Sequence, residues 1–310
     1  MDTVETQITV YHPRASSLFP AGAALERLCT GAQWSEGPVW IDEAQALLWS
    51  DIPNNRILCW SERGGMTVWR DGVEFTNGHT RERDGSILHC SHGQRAIVRT
   101  RLRDGLGSTQ DEIVVDRFEG KRLNSPNDIV VKSDDTIWFS DPPYGIVSDR
   151  EGHAAESELG ANYVFRYDPR THTLAAVSDF VEEPNGLAFS PDDSVLYVSD
   201  TSAALRSDGG GHHHIVAFDV VAGRELANPR IFAVIEPGLA DGFRVDRQGW
   251  IFTSSEDSVQ IYCPDGTRVA RFGVPEKVAN LTFGGRDGNE LYICASTSLY
   301  RMRLNTRGAT

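Results

Sequence analysis

The chain has 310 residues, with 30 Lys+Arg against 44 Asp+Glu and a formal net charge of −14. That balance argues against nucleic acid and against an anionic membrane surface as partners, because both call for a basic excess. Hydrophobic residues at 40% and charged residues at 24% fit a globular protein with a sizeable core, leaving small molecules, metal cations and cationic partners as ligands. No apolar run approaches the ~20 residues of a membrane-spanning helix, and no basic-then-apolar leader opens the sequence. The expected address is the cytoplasm, or the periplasm if a leader has been removed. Cys29, Cys59, Cys90, Cys263 and Cys294 stand singly with no CxxC pair, which reads as small buried hydrophobes rather than a disulfide framework or zinc knuckle.

Helical periodicity is nearly absent. Short Val/Ile/Trp/Tyr/Phe-rich runs are separated by Gly, Asp, Asn and Pro, the pattern of an all-β chain. Residues 1–23 read as a short N-terminal extension, and ALERLCTG after them as a spare strand. Six units follow, each with a polar head, an apolar run, a turn and a second apolar run. They are Glu36 in EGPVWIDEAQALLWSD, Asn77 in NGHTRERDGSILHCS, Asn127 in NDIVVKSDDTIWFSD, Asn185 in NGLAFSPDDSVLYVSD, Asp241 in DGFRVDRQGWIFTSS and Asn280 in NLTFGGRDGNELYICAS. The heads lie 41, 50, 58, 56 and 39 residues apart, while the distance from each head to the residue aligned with Ser50 (Ser50, His89, Ser140, Ser199, Thr253, Cys294) stays at 12 to 14.

A fixed hairpin with elastic connections, recurring every 40–60 residues, predicts a six-bladed β-propeller with four antiparallel strands per blade. The later strands fall in place as RILCWSE and MTVWRD, YVFRYDP and THTLAAVSDF, IVAFDVV and RIFAVI, and VQIYCPD and RVARFGV. The sixth unit ends one strand short at LYRMRLN, so residues ~24–30 are expected to supply its outermost strand and close a single domain spanning 1–310. Two connections, 142–162 and 201–214, are longer than a blade requires, which marks them as functional candidates.

In a propeller the first strands line the central channel, so the six heads converge on one mouth. Two carboxylates and four amides offer only oxygen, about −2 in charge, and no thiolate or imidazole. That is a hard-cation set: calcium is the expected occupant, magnesium or manganese could compete, and zinc favours nitrogen or sulfur. Taken singly, each Asn-Gly or Asp-Gly reads as a turn, and recurrence at one structural position is what favours the ligand reading. Asn77 and Asn280 remain candidates for channel liners.

EGPVW, RLNSPND, PNGLAFSPD and ADGFRVDRQGWIF, in that order, resemble the motifs of the senescence marker protein/regucalcin/gluconolactonase family of six-bladed propellers, over roughly residues 24–304. The resemblance implies metal ligation by Glu36, Asn127, Asn185 and Asp241, and hydrolysis of a small-molecule sugar lactone with a divalent metal. It also sets Arg122 at a position near substrate hydroxyls, although RLNSPND is longer here than in regucalcin-like members. Arg122, Asn127 and Tyr144 are the expected substrate contacts, with Tyr144 and the 142–162 loop roofing the channel.

The expected mechanism sets the lactone carbonyl oxygen at the open metal position, with Asp241 as general base for the attacking water. Asp51, Asp141 and Asp200 are rivals for that task and read first as strand-end caps. His212, His213 and His214 follow GGG and read as solvent-exposed. Of His79, His89 and His92, the last is the strongest candidate to face the channel. Phosphotriesterase-type hydrolysis on the same scaffold and a non-catalytic metal-binding propeller are the competing functions.

Overall fold

The structure, a computed structural model, describes residues 2–108 and 110–309. Among the described residues six sheets of four or five antiparallel strands form the blades, beside two short two-stranded ribbons, and blades one to four run outward in sequence order. Blade one comprises Ser35–Ile41, Ala46–Asp51, Arg56–Ser61 and Gly65–Asp71, and blade two Thr76–Arg81, Ile87–Ser91, Ala96–Thr100 and Glu112–Val115. Blade three comprises Ile129–Val131, Ile137–Asp141, Tyr163–Asp168 and Thr173–Ser178, and blade four Pro184–Phe189, Val195–Asp200, His214–Val221 and Glu225–Val234. Blade five has Phe243–Val245, Ile251–Thr253, Ser258–Tyr262 and Arg268–Gly273, and blade six Val278–Gly284, Glu290–Ala295 and Ser298–Arg303. Each innermost strand packs on that of the next blade, and blade six returns to blade one, so the ring is the six-bladed propeller that the repeat predicts.

Leu25–Thr30 completes blade six, pairing antiparallel with Ser298–Arg303 in the register Arg27↔Tyr300 and Thr30↔Ser298. The segment before it is more than an extension. Asp2–Val4 pairs on the outside of Leu25–Thr30, and Ile8–Val10 on the outside of Arg268–Gly273, so blades five and six each gain a fifth strand. Three-residue strands carry no periodicity to read, and what holds them is ladder hydrogen bonding along an otherwise open edge.

The core lies between blades. Trp49 turns toward blade six, into a cluster with Tyr292 and Leu299, whereas its neighbour Leu48 turns toward blade two, against Ile87. Trp138 and Phe139 divide in the same way, Phe139 toward Leu88 and Ile97 of blade two and Trp138 toward Leu196 and Val198 of blade four. Successive side chains on a strand face opposite sides, and here both sides are covered. This is why the second strands read as unbroken apolar runs.

The pairing slips at the heads. Register shifts fall between Glu36 and Val39, Thr76 and His79, Pro184 and Leu187, and Val278 and Asn280. An irregularity of this kind bends the strand and re-aims the side chain at the kink, here toward the axis. In blade two His89 pairs with His79, so Asn77 stands further toward the mouth than the Ser50 alignment implies.

Candidate metal centre and active site

The six heads meet at one end of the channel through backbone contacts. Gly78 N–H donates to the Asn127 carbonyl at 2.9 Å, Gly186 N–H to the Asp241 carbonyl at 2.9 Å, and Gly242 N–H to the Ala279 carbonyl at 2.8 Å. Second-strand serines repeat the link: Ser50 Oγ donates to the Asn77 carbonyl at 2.8 Å, Ser140 Oγ to the Asn185 carbonyl at 2.6 Å and Ser199 Oγ to the Asp241 carbonyl at 3.3 Å. The glycine after a head must have no side chain, because a Cβ on Gly186 would lie 2.5 Å from the Asp241 carbonyl oxygen. Gly186→Ala is therefore expected to cost about 1–3 kcal/mol through overpacking. It is also expected to weaken divalent-ion binding by pushing Asn185 away from Asp241; thermal unfolding and an ion titration measure the two effects.

Side-chain hydrogen bonds divide the heads into two kinds. Glu36 Oε2 accepts from Gly37 N–H at 2.6 Å and from Asn280 Nδ2 at 2.9 Å, while Asn280 Oδ1 accepts Leu281 N–H at 2.8 Å. The Asn280 amide is thus engaged at both ends and orients Glu36. Asn185 Nδ2 donates to Asp241 Oδ1 at 2.8 Å and to Thr201 Oγ1 at 3.2 Å. Asn77 Nδ2 lies 3.4 Å from His92 Nε2. Among the described residues, Glu36 Oε1, Asn127 Oδ1, Asn185 Oδ1 and Asp241 Oδ2 make no hydrogen bond, although Glu36, Asn127 and Asn185 are 4%, 5% and 7% exposed. These four oxygens keep access to solvent although their residues are largely buried, so water or a cation can reach them.

Electrostatics point the same way. Burial, and then the charge of Asp241, push the Glu36 carboxyl well above the usual range, and burial pushes Asp241 up to about 7. Two carboxylates that repel one another and keep free oxygens, beside two free amide oxygens, fit a divalent cation of the hard, oxygen-seeking kind. Among the described residues no cluster of three or more His, Cys, Asp or Glu side chains has metal-holding geometry; this ring counts only two carboxylates and relies on amides.

Asp51, Asp141 and Asp200 act as caps. Asp51 Oδ1 accepts Gln33 N–H at 2.8 Å, Asp141 Oδ2 accepts Asn124 N–H at 2.8 Å, and Asp200 Oδ2 accepts Glu182 N–H at 2.9 Å. Each ties down the turn three residues before the head of its own blade. Arg122 is engaged with groups other than the heads: its Nη2 donates to the Gln94 carbonyl at 3.0 Å and its N–H to Glu158 Oε2 at 2.8 Å. Tyr144 is half-buried with its hydroxyl 2.6 Å from Thr201 Oγ1, the same hydroxyl that meets Asn185, and desolvation raises its pKa.

The histidines separate as follows. His92 Nδ1 lies 2.8 Å from the Glu151 carbonyl, which can only accept, so Nδ1 carries the hydrogen and Nε2 accepts from Asn77. Burial lowers its pKa to about 4, keeping the ring neutral. His79 and His89 are buried hydrogen-bonding residues, on the Gly37 carbonyl at 2.7 Å and on Thr100 Oγ1 at 2.9 Å. His212 is exposed, and His213 and His214 are half-buried.

Residues outside the repeat positions also reach the site. Asp128, beside Asn127, is buried and paired with Arg244 at 3.3 Å, and its charge raises both head carboxylates. Glu151 and Lys277 act on Asp241 with opposite signs. Their residue types do not recur at the matching places of the other units, and only their position around the ring reveals them.

A six-bladed propeller with carboxylate and amide heads gathered at one mouth is the class that this fold and site define. The profile of the SMP-30/Gluconolactonase/LRE-like region matches residues 34–297, and the chain belongs to that family. It is 32% identical over 320 aligned positions to a gluconolactonase of Zymomonas mobilis, across 97% of this chain and 87% of that one. Among solved structures, a gluconolactonase from Xanthomonas campestris shares 37% identity and a TM-score of 0.88, over 97% of this chain and 96% of that one. The calcium-binding protein regucalcin of Agrobacterium tumefaciens shares the fold at a TM-score of 0.72 and 18% identity, over 91% of this chain and 94% of that one.

Proposed function

We propose that the protein is a divalent-metal-dependent hydrolase that opens sugar lactones of the glucono-1,5-lactone type. The observation that carries this reading is the set of four head oxygens that accept no hydrogen bond among the described residues, Glu36 Oε1, Asn127 Oδ1, Asn185 Oδ1 and Asp241 Oδ2, in a chain of this family. Its similarity to gluconolactonases along nearly its whole length supports the substrate class.

The four oxygens would hold the ion, with calcium the first expectation because all donors are hard and two are neutral amides. A divalent cation there supplies Lewis-acid polarisation of the lactone carbonyl and stabilises the negative charge that develops on its oxygen. The Asp241 carboxylate is the group that would take a proton from the attacking water, while Asn185 holds Oδ1 and so fixes the carboxylate plane. Asn280 does the same for Glu36. Asn127, whose amide is otherwise unengaged, is free to contact substrate as well as the ion. Tyr144 and the 142–162 loop wall the mouth on the side of blades three and four, with Tyr144 fixed through Thr201 and the loop through His92.

The test is acid release from D-glucono-1,5-lactone, with and without a chelator, in wild type and Asn185→Ala. Expected are turnover that the chelator removes and calcium restores, and a loss of at least about a hundredfold in the variant, the scale of losing one positioned polar group at a reacting centre. A metal-loaded wild type that opens no aldonolactone sinks the reading.

A further inference from the structure

Of the charges acting most strongly on Glu36 and Asp241, Asp128 and Glu151 are negative, the two heads repel each other, and Lys277 alone is positive. Lys277 stands three residues before Asn280, with its carbonyl held by Ser296 N–H at 3.0 Å. Its ammonium lies 5.9 Å from the centre of the Trp34 ring and 3.5 Å from Glu256 Oε2. Trp34 stands two residues before Glu36, half-buried, with its N–H on Asp51 Oδ1 at 3.3 Å and its carbonyl accepting Ile52 N–H at 3.3 Å. Blades six and one therefore present a fixed aromatic face and a cation side by side, next to the heads.

The ion pair with Glu256 does not use up that cation. At 3.5 Å it is longer than a charge-assisted hydrogen bond, and with side chains 36% and 53% exposed it is the kind of surface pair that contributes little. The ammonium keeps donors to offer a ligand.

The reaction itself creates the ligand that such a corner fits. Water adds its oxygen to the acyl carbon, the ring C–O bond breaks, and the ring oxygen leaves as a hydroxyl with one proton. The acid formed then loses a second proton. A neutral ring enters and a monoanion leaves, from a mouth lined with carboxylates in a chain of net charge −14. We propose that Lys277 receives the carboxylate formed on ring opening while Trp34 carries the apolar C–H face of the sugar chain, so that the pair is the product-recognising edge of the site. An ammonium beside a tryptophan face suits an aldonate, which combines one anionic end with a polyhydroxylated chain. This assignment rests on the lactone-hydrolase reading.

The experiment titrates D-gluconate calorimetrically into the calcium-loaded wild type, Lys277→Gln, Lys277→Arg and Trp34→Ala, and measures gluconate inhibition of lactone turnover in parallel. Lys277→Gln is expected to raise the gluconate Kd five- to twentyfold and to raise the inhibition constant at least fivefold more than KM for the uncharged lactone. Lys277→Arg restores most of the affinity, and Trp34→Ala weakens gluconate more than acetate, which has the charge without the sugar chain. Gluconate binding within twofold of wild type in Lys277→Gln, or no measurable gluconate binding by wild type, overturns the assignment. Normal turnover with gluconate inhibition indifferent to Lys277 removes this edge and leaves the lactonase reading standing. Lysine-dependent gluconate binding in a protein that opens no aldonolactone does the reverse.

Discussion

Asp241→Asn is expected to lower kcat for D-glucono-1,5-lactone by about 10²–10⁴-fold, the range over which a positioned general base contributes. The substitution is nearly isosteric, and the new amide oxygen still accepts from Asn185 Nδ2, which now reaches Asp241 Oδ1 at 2.8 Å. Circular dichroism is therefore expected to be unchanged. A second signature separates loss of function from loss of fold. Glu36 and Asp241 repel each other in a buried mouth, so removing one charge relieves the other, and the metal-free variant is expected to melt above the metal-free wild type at pH 8. A variant that keeps kcat within fivefold of wild type would remove Asp241 from the chemistry.

Calcium is expected to raise the melting temperature by roughly 5–10 °C at pH 8 when present at about a hundred times its dissociation constant. This follows from about 2.7 kcal/mol of linkage and roughly 2–4 °C per kcal/mol in a chain of this size. The gain is expected to shrink steadily toward pH 5. In the metal-free protein, burial holds Asp241 at about 7 and Glu36 well above its ordinary value, whereas the unfolded chain releases both protons near pH 4. Between those limits the folded state binds more protons than the unfolded one, so these two groups favour folding at acid pH and that contribution is lost as pH rises to 7. The ion competes with the same protons for the same oxygens and restores what was lost. Thermal melts from pH 5 to 8, with calcium and with chelator, measure the difference; an equal calcium effect at both ends of the range contradicts it. Glu36→Gln is expected to abolish most of the gain at pH 8 while leaving the β signature intact.

The ring was legible because hydrophobic runs and heads recur at a fixed internal spacing, and a repeat translates directly into a place around an axis. The division of labour within the ring was not. Asn185 and Asn280 are the same residue at the same position of their units. Yet Asn185 turns its oxygen inward, because its amide nitrogen is taken by Asp241 and Thr201, while Asn280 spends both ends on Glu36 and Leu281. Such choices depend on the neighbouring blade, more than 50 residues away in sequence. Blade two shows the limit of alignment by spacing: the kink between Thr76 and His79 moves the pairing, so His89, which the unit aligns with Ser50, lies deeper than Asn77 and bonds Thr100 instead. The family resemblance suggested Arg122 as a substrate contact, and its guanidinium goes to Gln94 on the preceding blade. Lys277, Trp34 and Glu151 have no counterpart of the same residue type in the other units and become visible only once the blades are assembled.

The pairing of Leu25–Thr30 with Ser298–Arg303 also governs how the molecule is made. A ribosome delivers the two partners of that seam about 270 residues apart, so between those two moments the growing wheel is an arc with two bare rims. A truncated product has no smaller circle to settle into. Quality control therefore meets an unambiguous object: either the hoop is shut, or raw strand edges and an unformed ion cradle are on display.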